Sequence, residues 1–395
     1  MAALKTLKLR RIWLQIHKWI GILLTVLFIP LGLSGSALVW DEQLDGLLYP
    51  QRHVASESRP QDLPSRYIEK AKTQLGPDDR IALLQFGADG APILIGAVRV
   101  PAAGAAPQAR PLRTTLWIKR DTADILDKSV GQSGILRQLH MIHGSLMIPG
   151  VGRQVVGWLG VAMLISSLTG LWLWWPTVGQ WTRGLRWRRS RDFDTNAHHM
   201  VGFWIAVPLG MLSLTGMWIS FPATFNALSG ELGRGGNREA MMRALPLASP
   251  HLATDDVLAS ARAAARGQTP TSIAWPTDQA PRWTVRFSNK MAWSVNDASG
   301  AVASDTNPSF EEAYPVASTM RHMHDGTSMG TVWRVIITLG GLAPAVLGIT
   351  GTLMWLRTRR WRARPVQRRP EARTASPFNR SKASRDNARN SGRRN

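Results

Sequence analysis

Residues 17–35 read HKWIGILLTVLFIPLGLSG, and residues 198–216 read HHMVGFWIAVPLGMLSLTG. Each stretch opens on a histidine, has a glycine four residues on, and closes on a hydroxyl residue and a glycine. Between head and tail lies a run apolar enough for hydrocarbon, where an ionisable group is costly and rarely kept without a task. The spacing from the first histidine to the closing glycine is the same in both, from His17 to Gly35 and from His198 to Gly216.

A single offset of 181 positions extends this likeness along the chain. It takes His143 to His324, Arg10 to Arg191, Arg153 to Arg334, Gly160 to Gly341, Gly170 to Gly351 and Trp174 to Trp355. Glycines alone would coincide easily, but paired His, Arg, Gly and Trp at one offset mark a duplicated unit of span, insertion and span.

Four long apolar runs and 18 Trp against 3 Tyr set the chain apart from soluble domains. The runs lie at 13–40, 152–175, 198–221 and 331–356, each meeting the roughly 20 residues that a membrane helix needs. The sequence therefore divides into a basic N-terminus (1–12), a first span (13–40), a first insertion (41–151), a second span (152–175), a basic loop (176–197), a third span (198–221), a second insertion (222–330), a fourth span (331–356) and a basic tail (357–395). A signal peptide is the competing account of residues 1–40, but the run is long for one and lacks a small-residue cleavage site.

The net charge of +22 would suggest nucleic acid in a soluble protein. Its distribution argues against that partner. Residues 1–12 hold 4 Lys/Arg and no acid, 176–197 hold 5 against 2, and 357–395 hold 14 against 2. The long insertions are nearly neutral, with 13 bases against 12 acids in 41–151 and 9 against 10 in 222–330. The positive-inside rule then puts both termini and the 176–197 loop in the cytoplasm and both insertions outside. The tail RTRRWRARPVQRR reads as an orientation signal able to touch anionic lipid, and the Arg, Ser, Asn and Pro-rich segment after residue 365 as disordered. No cysteine is present, which excludes covalent haem attachment and thiolate-held iron–sulfur clusters.

Two parallel-topology repeats are related by a pseudo-twofold along the membrane normal. Equivalent residues then share a depth and face one another, so His17 meets His198 near the cytoplasmic face and His143 meets His324 near the outer one. Two opposed imidazoles at each of two levels are what two non-covalent, bis-histidine haem b groups require. An isolated histidine at a span end is commonly only an interfacial residue, and it is the pairing that lifts these four. His140, His322 and His199 are neighbours that could replace a ligand or support one, and Met141 and Met323 would allow His/Met ligation. His53 and His251 read as surface residues. Arg153 and Arg334 head the second and fourth spans on the outer side, where they suit haem propionates or simple interfacial snorkelling. The recurrent span glycines allow close helix packing or room for a flat macrocycle.

In each insertion a short helix precedes strands. RYIEKAKTQL is followed by RIALLQF, ILIGAVRV and LRTTLWIK, and DDVLASARAAARG by TSIAWP, RWTVRFS and MAWSVND with an Asp-Ala-Ser-Gly turn. Neither insertion carries a nucleophile triad, a phosphate loop or a metal motif. The expected fold is thus a mainly α membrane protein with four transmembrane helices in two parallel-topology repeats, each with a small periplasmic α+β insertion.

HKWIG, the LSG and LTG span ends, the LHMIHG and RHMHDG motifs and the helix-plus-strand insertions together resemble the PepSY-associated transmembrane family of bacteria, over about residues 10–358. The resemblance implies PepSY-like insertions and an inner-membrane location. Through the iron-regulated, siderophore-reductase branch of that family it also implies haem iron held by His17, His198, His143 and His324, the residues chosen independently by the offset. The implied activity is reduction of ferric siderophores in the periplasm. No flavin reductase domain follows Leu356, so the donor would be a separate reductase protein, a soluble reductant or quinol. Two other classes compete: a haem-free scaffold or peptidase-regulating membrane protein, and a metal or ion transporter, for which the spans offer no internal carboxylate.

Overall fold

The computed structural model describes residues 2–56, 63–88, 90–101, 111–131, 134–175, 182, 185–186, 190–233, 243–305 and 310–363, with side chains between residues 8 and 360. The tail read as disordered and most of the 176–197 loop lie outside the described residues. The chain divides into two units, Met1–Thr352 and Leu353–Asn395. In the second, Thr358 Oγ1 donates to Met354 O within one helix and Arg359 lies 5.6 Å from the centre of the Trp355 ring.

Among the described residues, four helices are long and apolar enough to cross a membrane: α1 (Ala2–Leu38), α5 (Gly152–Trp174), α6 (Phe193–Ser220) and α11 (Gly330–Ala363). Only 17–22% of each apolar window is buried within the protein, so most of every span is left for lipid, as on Leu23, Val26, Trp158, Val207 and Leu339. α1, α6 and α11 overrun their apolar runs. α1 begins in the basic KTLKLRR segment, because Lys, Leu and Arg propagate a helix well and neither Gly nor Pro interrupts them.

Small residues let the spans approach. A Cβ on Gly32 would lie within 2.2 Å of Gly341 O, so α1 and α11 cross backbone to backbone there. Ser36 Oγ donates to Thr338 O (2.9 Å) and Trp40 Nε1 to Thr338 Oγ1 (3.0 Å) just beyond the crossing. Residues 181 positions from Gly32 and Gly341 make the α5–α6 approach, where a Cβ on Gly160 would stand 3.3 Å from Ser213 O.

Short helices lead from the spans to a sheet. α2 (Asp41–Leu48) follows α1, α7 (Pro222–Leu228) follows α6, and α9 (Phe310–Ala313) lies further on. α4 (Ile135–Ser145) and α10 (Pro315–Asp325) precede α5 and α11 and pack on α1 and α6 respectively. The strands are β1 (Asp79–Gln85), β2 (Ile93–Arg99), β3 (Arg113–Ile118), β4 (Ile125–Val130), β5 (Pro270–Ala274), β6 (Arg282–Phe287), β7 (Ala292–Asn296) and β8 (Val302–Ser304).

The structure corrects the expectation of two separate small insertions. All eight strands form one antiparallel sheet in the order β4-β3-β2-β1-β5-β6-β7-β8. Its centre is the pairing of β1 with β5, with Leu83 opposite Ala274, Leu84 opposite Ile273 and Gln85 opposite Ser272. Period-two alternation buries Ile93, Ile95, Leu116, Trp283 and Val285 on one face. Helices α3 (Pro64–Lys72) and α8 (Thr254–Ala265) pack into the same core through Tyr67, Ile68, Val257 and Leu258. The two helices are also tied directly, since Ser65 N–H and Oγ donate to Asp255 (2.9 and 2.5 Å). The strands missed in the sequence are the edges. β4 carries Asp127 and Lys128 and β8 has three exposed residues, features that blunt an edge against further pairing and also erase an apolar alternation.

Leu84 is fully buried at the seam. Leu84→Ala is expected to cost about 2–5 kcal/mol through lost burial and a cavity. The check is a lowered sheet unfolding midpoint in detergent with span helicity, read by circular dichroism, retained.

Candidate functional site: two imidazole pairs

His17 stands on α1 and His198 one turn into α6, and their ring centres are 6.3 Å apart. His143 near the end of α4 and His324 near the end of α10 have ring centres 5.9 Å apart. Helix lengths separate the pairs. His143 packs on Gly35, 18 residues beyond His17 on α1, a rise of roughly 27 Å.

Each imidazole is held by a span other than its own. His17 Nδ1 bonds Ser166 O and Thr169 Oγ1 on α5, both at 3.1 Å. His198 Nδ1 bonds Thr350 Oγ1 (3.0 Å) and is also within reach of Leu347 O, both on α11. His324 Nδ1 bonds Thr215 Oγ1 (3.0 Å) on α6, and His143 Nδ1 bonds Leu31 O (2.9 Å) on α1. The three threonine hydroxyls already donate to carbonyls one turn back, Ile165 O, Val346 O and Met211 O. They therefore accept from the rings. Nδ1 carries the proton in each ring, and Nε2 keeps a free lone pair.

A glycine lies against the Cε1 edge of every ring. A Cβ there would meet that atom at 3.0 Å for Gly170 and His17, 3.2 Å for Gly351 and His198, 2.5 Å for Gly35 and His143, and 3.1 Å for Gly216 and His324. These glycines end four tripeptides, Leu33-Ser34-Gly35, Leu168-Thr169-Gly170, Leu214-Thr215-Gly216 and Ile349-Thr350-Gly351. In the sequence the tripeptides read only as span ends; the hydroxyls of Thr169, Thr215 and Thr350 are partners of histidines, whereas Ser34 donates to Pro30 O and Leu31 O. Fourfold recurrence was the available signal.

Burial holds His143 and His324 below the ordinary histidine value, His324 at about 4 where its neighbour His143 adds to the effect. Both are thus neutral imidazoles near pH 7, the form that ligates metal.

An imidazole nitrogen lies about 1 Å from its ring centre, so nitrogens of paired rings come no nearer than about 4 Å, beyond hydrogen-bond reach. With the two Nε2 atoms turned toward each other, that spacing would admit two metal–imidazole bonds of about 2 Å in line. Each pair offers two imidazole nitrogens, and among the described residues no group of three or more His, Cys, Asp or Glu is arranged to hold a metal. A metal that brings its own equatorial ligands needs only two axial nitrogens, and haem iron is such a metal. Beside His17, one turn on and on the same face, Gly21 has nothing within 4 Å of where a Cβ would stand. Gly202 beside His198 has only Leu347 Cδ2, at 3.7 Å. The residues present fit a flat group between the imidazoles of this pair.

The alternates are placed elsewhere. His140 is exposed and bonds Leu136 O of its own helix (2.9 Å), His322 Nε2 lies 3.8 Å from Glu311, and the His199 ring is edge-on to His198 at 6.4 Å. His53 and His251 pair with Asp45 and Asp297 (2.9 and 3.0 Å). Arg334 donates to Val39 O (3.0 Å) and Gln43 Oε1 (3.0 Å), Arg153 to Ile219 O, and Arg10 to Leu173 O (2.6 Å). They cap the last carbonyls of spans, which have no intrahelical donor.

The sequence profile described as the PepSY-associated TM region matches residues 14–358. No curated protein matches the chain.

Proposed function

Because the chain belongs to the PepSY-associated TM family, a class of multi-pass membrane protein, we propose that it carries electrons across a bacterial inner membrane to ferric siderophores. In this reading both termini are cytoplasmic, the sheet is periplasmic, and the chain is a duplicated unit. The basic termini and loop support the orientation, and the 181-residue offset and palindromic strand order support the duplication.

The observation that carries the reading is the pair of ring separations, 6.3 and 5.9 Å, with Nδ1 occupied in all four rings. His17 and His198 would hold one non-covalent haem b and His143 and His324 the other. Bound haem supplies a one-electron Fe(III)/Fe(II) couple. The residues keep Nε2 unprotonated, fix each ring by a bond from another span, and leave open space beside Gly21 for the macrocycle edge. Arg153 and Arg334, heading the second and fourth spans, are the cations suited to propionates. A separate reductase protein or quinol supplies the electron, and the iron of the chelate accepts it, passing from Fe(III) to Fe(II), so that the chelator loosens its hold.

The test is the visible spectrum of detergent-purified protein, oxidised and dithionite-reduced, with pyridine haemochrome quantification. Close to two haem b per chain is expected, with sharp reduced α-bands and reoxidation by a ferric chelate. Protein without haem, produced with ample haem supply, sinks this reading in favour of a scaffold or peptidase-regulating role.

A further inference from the structure

The helices bearing His143 and His324 begin differently. α4 starts after Gly134 with no side-chain cap and no acid in its first turn. α10 also has no acid in its first turn, yet a carboxylate from another segment covers its start. Glu231, only 1% exposed, accepts from Val316 N–H at 2.6 Å through one oxygen. The other oxygen accepts from Ala317 N–H at 3.2 Å and Ser229 Oγ at 3.1 Å. Pro315 has no N–H, so these are the first orphan donors of the helix.

Glu231 lies three residues beyond the end of α7, which continues from α6. Its own N–H donates to Asn226 O (2.8 Å) in α7. α6 also carries Thr215, the partner of His324. α10 is therefore held at its start by the buried carboxylate beyond α7 and at its finish by the imidazole bonded to α6. The position 181 residues before Glu231 is Pro50, which offers no such group to α4.

We propose that Glu231 is the positioning residue of His324: by fixing the start of α10 it sets the height and rotation of that imidazole against His143, and among the described residues no carboxylate does the same for α4. The effect on a bound haem rests on the function proposed above; the hold on α10 does not.

The experiment compares full-length wild type, Glu231→Ala and Glu231→Gln in detergent by amide hydrogen exchange and by low-temperature electron paramagnetic resonance of the oxidised protein. In Glu231→Ala, exchange in the α10 peptide should rise about tenfold, the loss expected when charged hydrogen bonds at a helix start are removed, with α4 unchanged. One of two low-spin haem signals should shift or convert to high spin while the other stays. Glu231→Gln keeps an acceptor and should fall between wild type and Glu231→Ala, and it supplies the answer if the alanine protein does not fold. Unchanged exchange in α10, an equal rise in both helices, or a faster α10 with both haem signals unaltered would each overturn the proposal. Wild type without haem would instead remove the proposed function, while exchange would still decide whether Glu231 holds α10.

Discussion

Replacing His198 by alanine is expected to leave the full-length protein with one haem b in place of two. The side chain stands 6.3 Å from His17, centre to centre, and is bonded through Nδ1 to Thr350. Its loss leaves one axial nitrogen where the pair offered two, and Thr350, 8% exposed, without its imidazole partner. A b haem left with His17 as its one axial ligand in an opened site is held more weakly, so purification should strip it. His324→Ala should remove the other haem, and the double variant both. His199, edge-on to His198 at 6.4 Å, is the group that could stand in, so His199→Ala is the companion variant and should keep both haems. Haem per chain by pyridine haemochrome decides the matter. Two haems in His198→Ala would strike this residue from the site.

The second large effect is expected from a single methyl group. Gly35→Ala would put a Cβ 2.5 Å from His143 Cε1 and 2.7 Å from its Nδ1, nearer than real contacts allow. α1 cannot easily withdraw, because one turn earlier Gly32 already meets Gly341 backbone to backbone. The ring must move, giving up Leu31 O at 2.9 Å and its 5.9 Å spacing from His324. Overpacking of this kind costs about 1–3 kcal/mol. The expected result is loss or high-spin conversion of one haem with the other unaltered. Gly216→Ala meets its histidine at 3.1 Å and should have the same effect in weaker form, whereas Gly144→Ala, with nothing within 4 Å, should have none. Equal spectra for Gly35→Ala and Gly144→Ala would dismiss the tight glycine contact as a determinant of the site.

Much of this was legible without coordinates. The helix RYIEKAKTQL and the strands ILIGAVRV and RWTVRFS lie where their periodicities put them, because period-two and period-3.6 patterns are local statements about which face is buried. The four histidines are brought into two pairs as the 181-residue offset implied. β4 and β8 were missed because edge strands carry charges or exposed residues in place of an apolar alternation. α4 and α10 were read only as the motifs LHMIHG and RHMHDG, although each carries an amphipathic pattern.

The amino-acid sequence by itself determined the four spans, the strands of the sheet interior and the register that pairs the histidines. These follow from hydropathy, alternation and spacing, which are written along the chain. Tertiary structure alone decided that both insertions share one sheet, through Leu84 against Ile273. It alone supplied the partners of the imidazoles, Thr169 to His17 and Thr350 to His198, each 152 residues away, and the carboxylate of Glu231 at the start of α10. The physical reason is common to all three. A backbone edge, a ring N–H or a helix start demands a hydrogen-bond partner once buried, but any of several distant groups could satisfy it, and only the packed fold selects which one does.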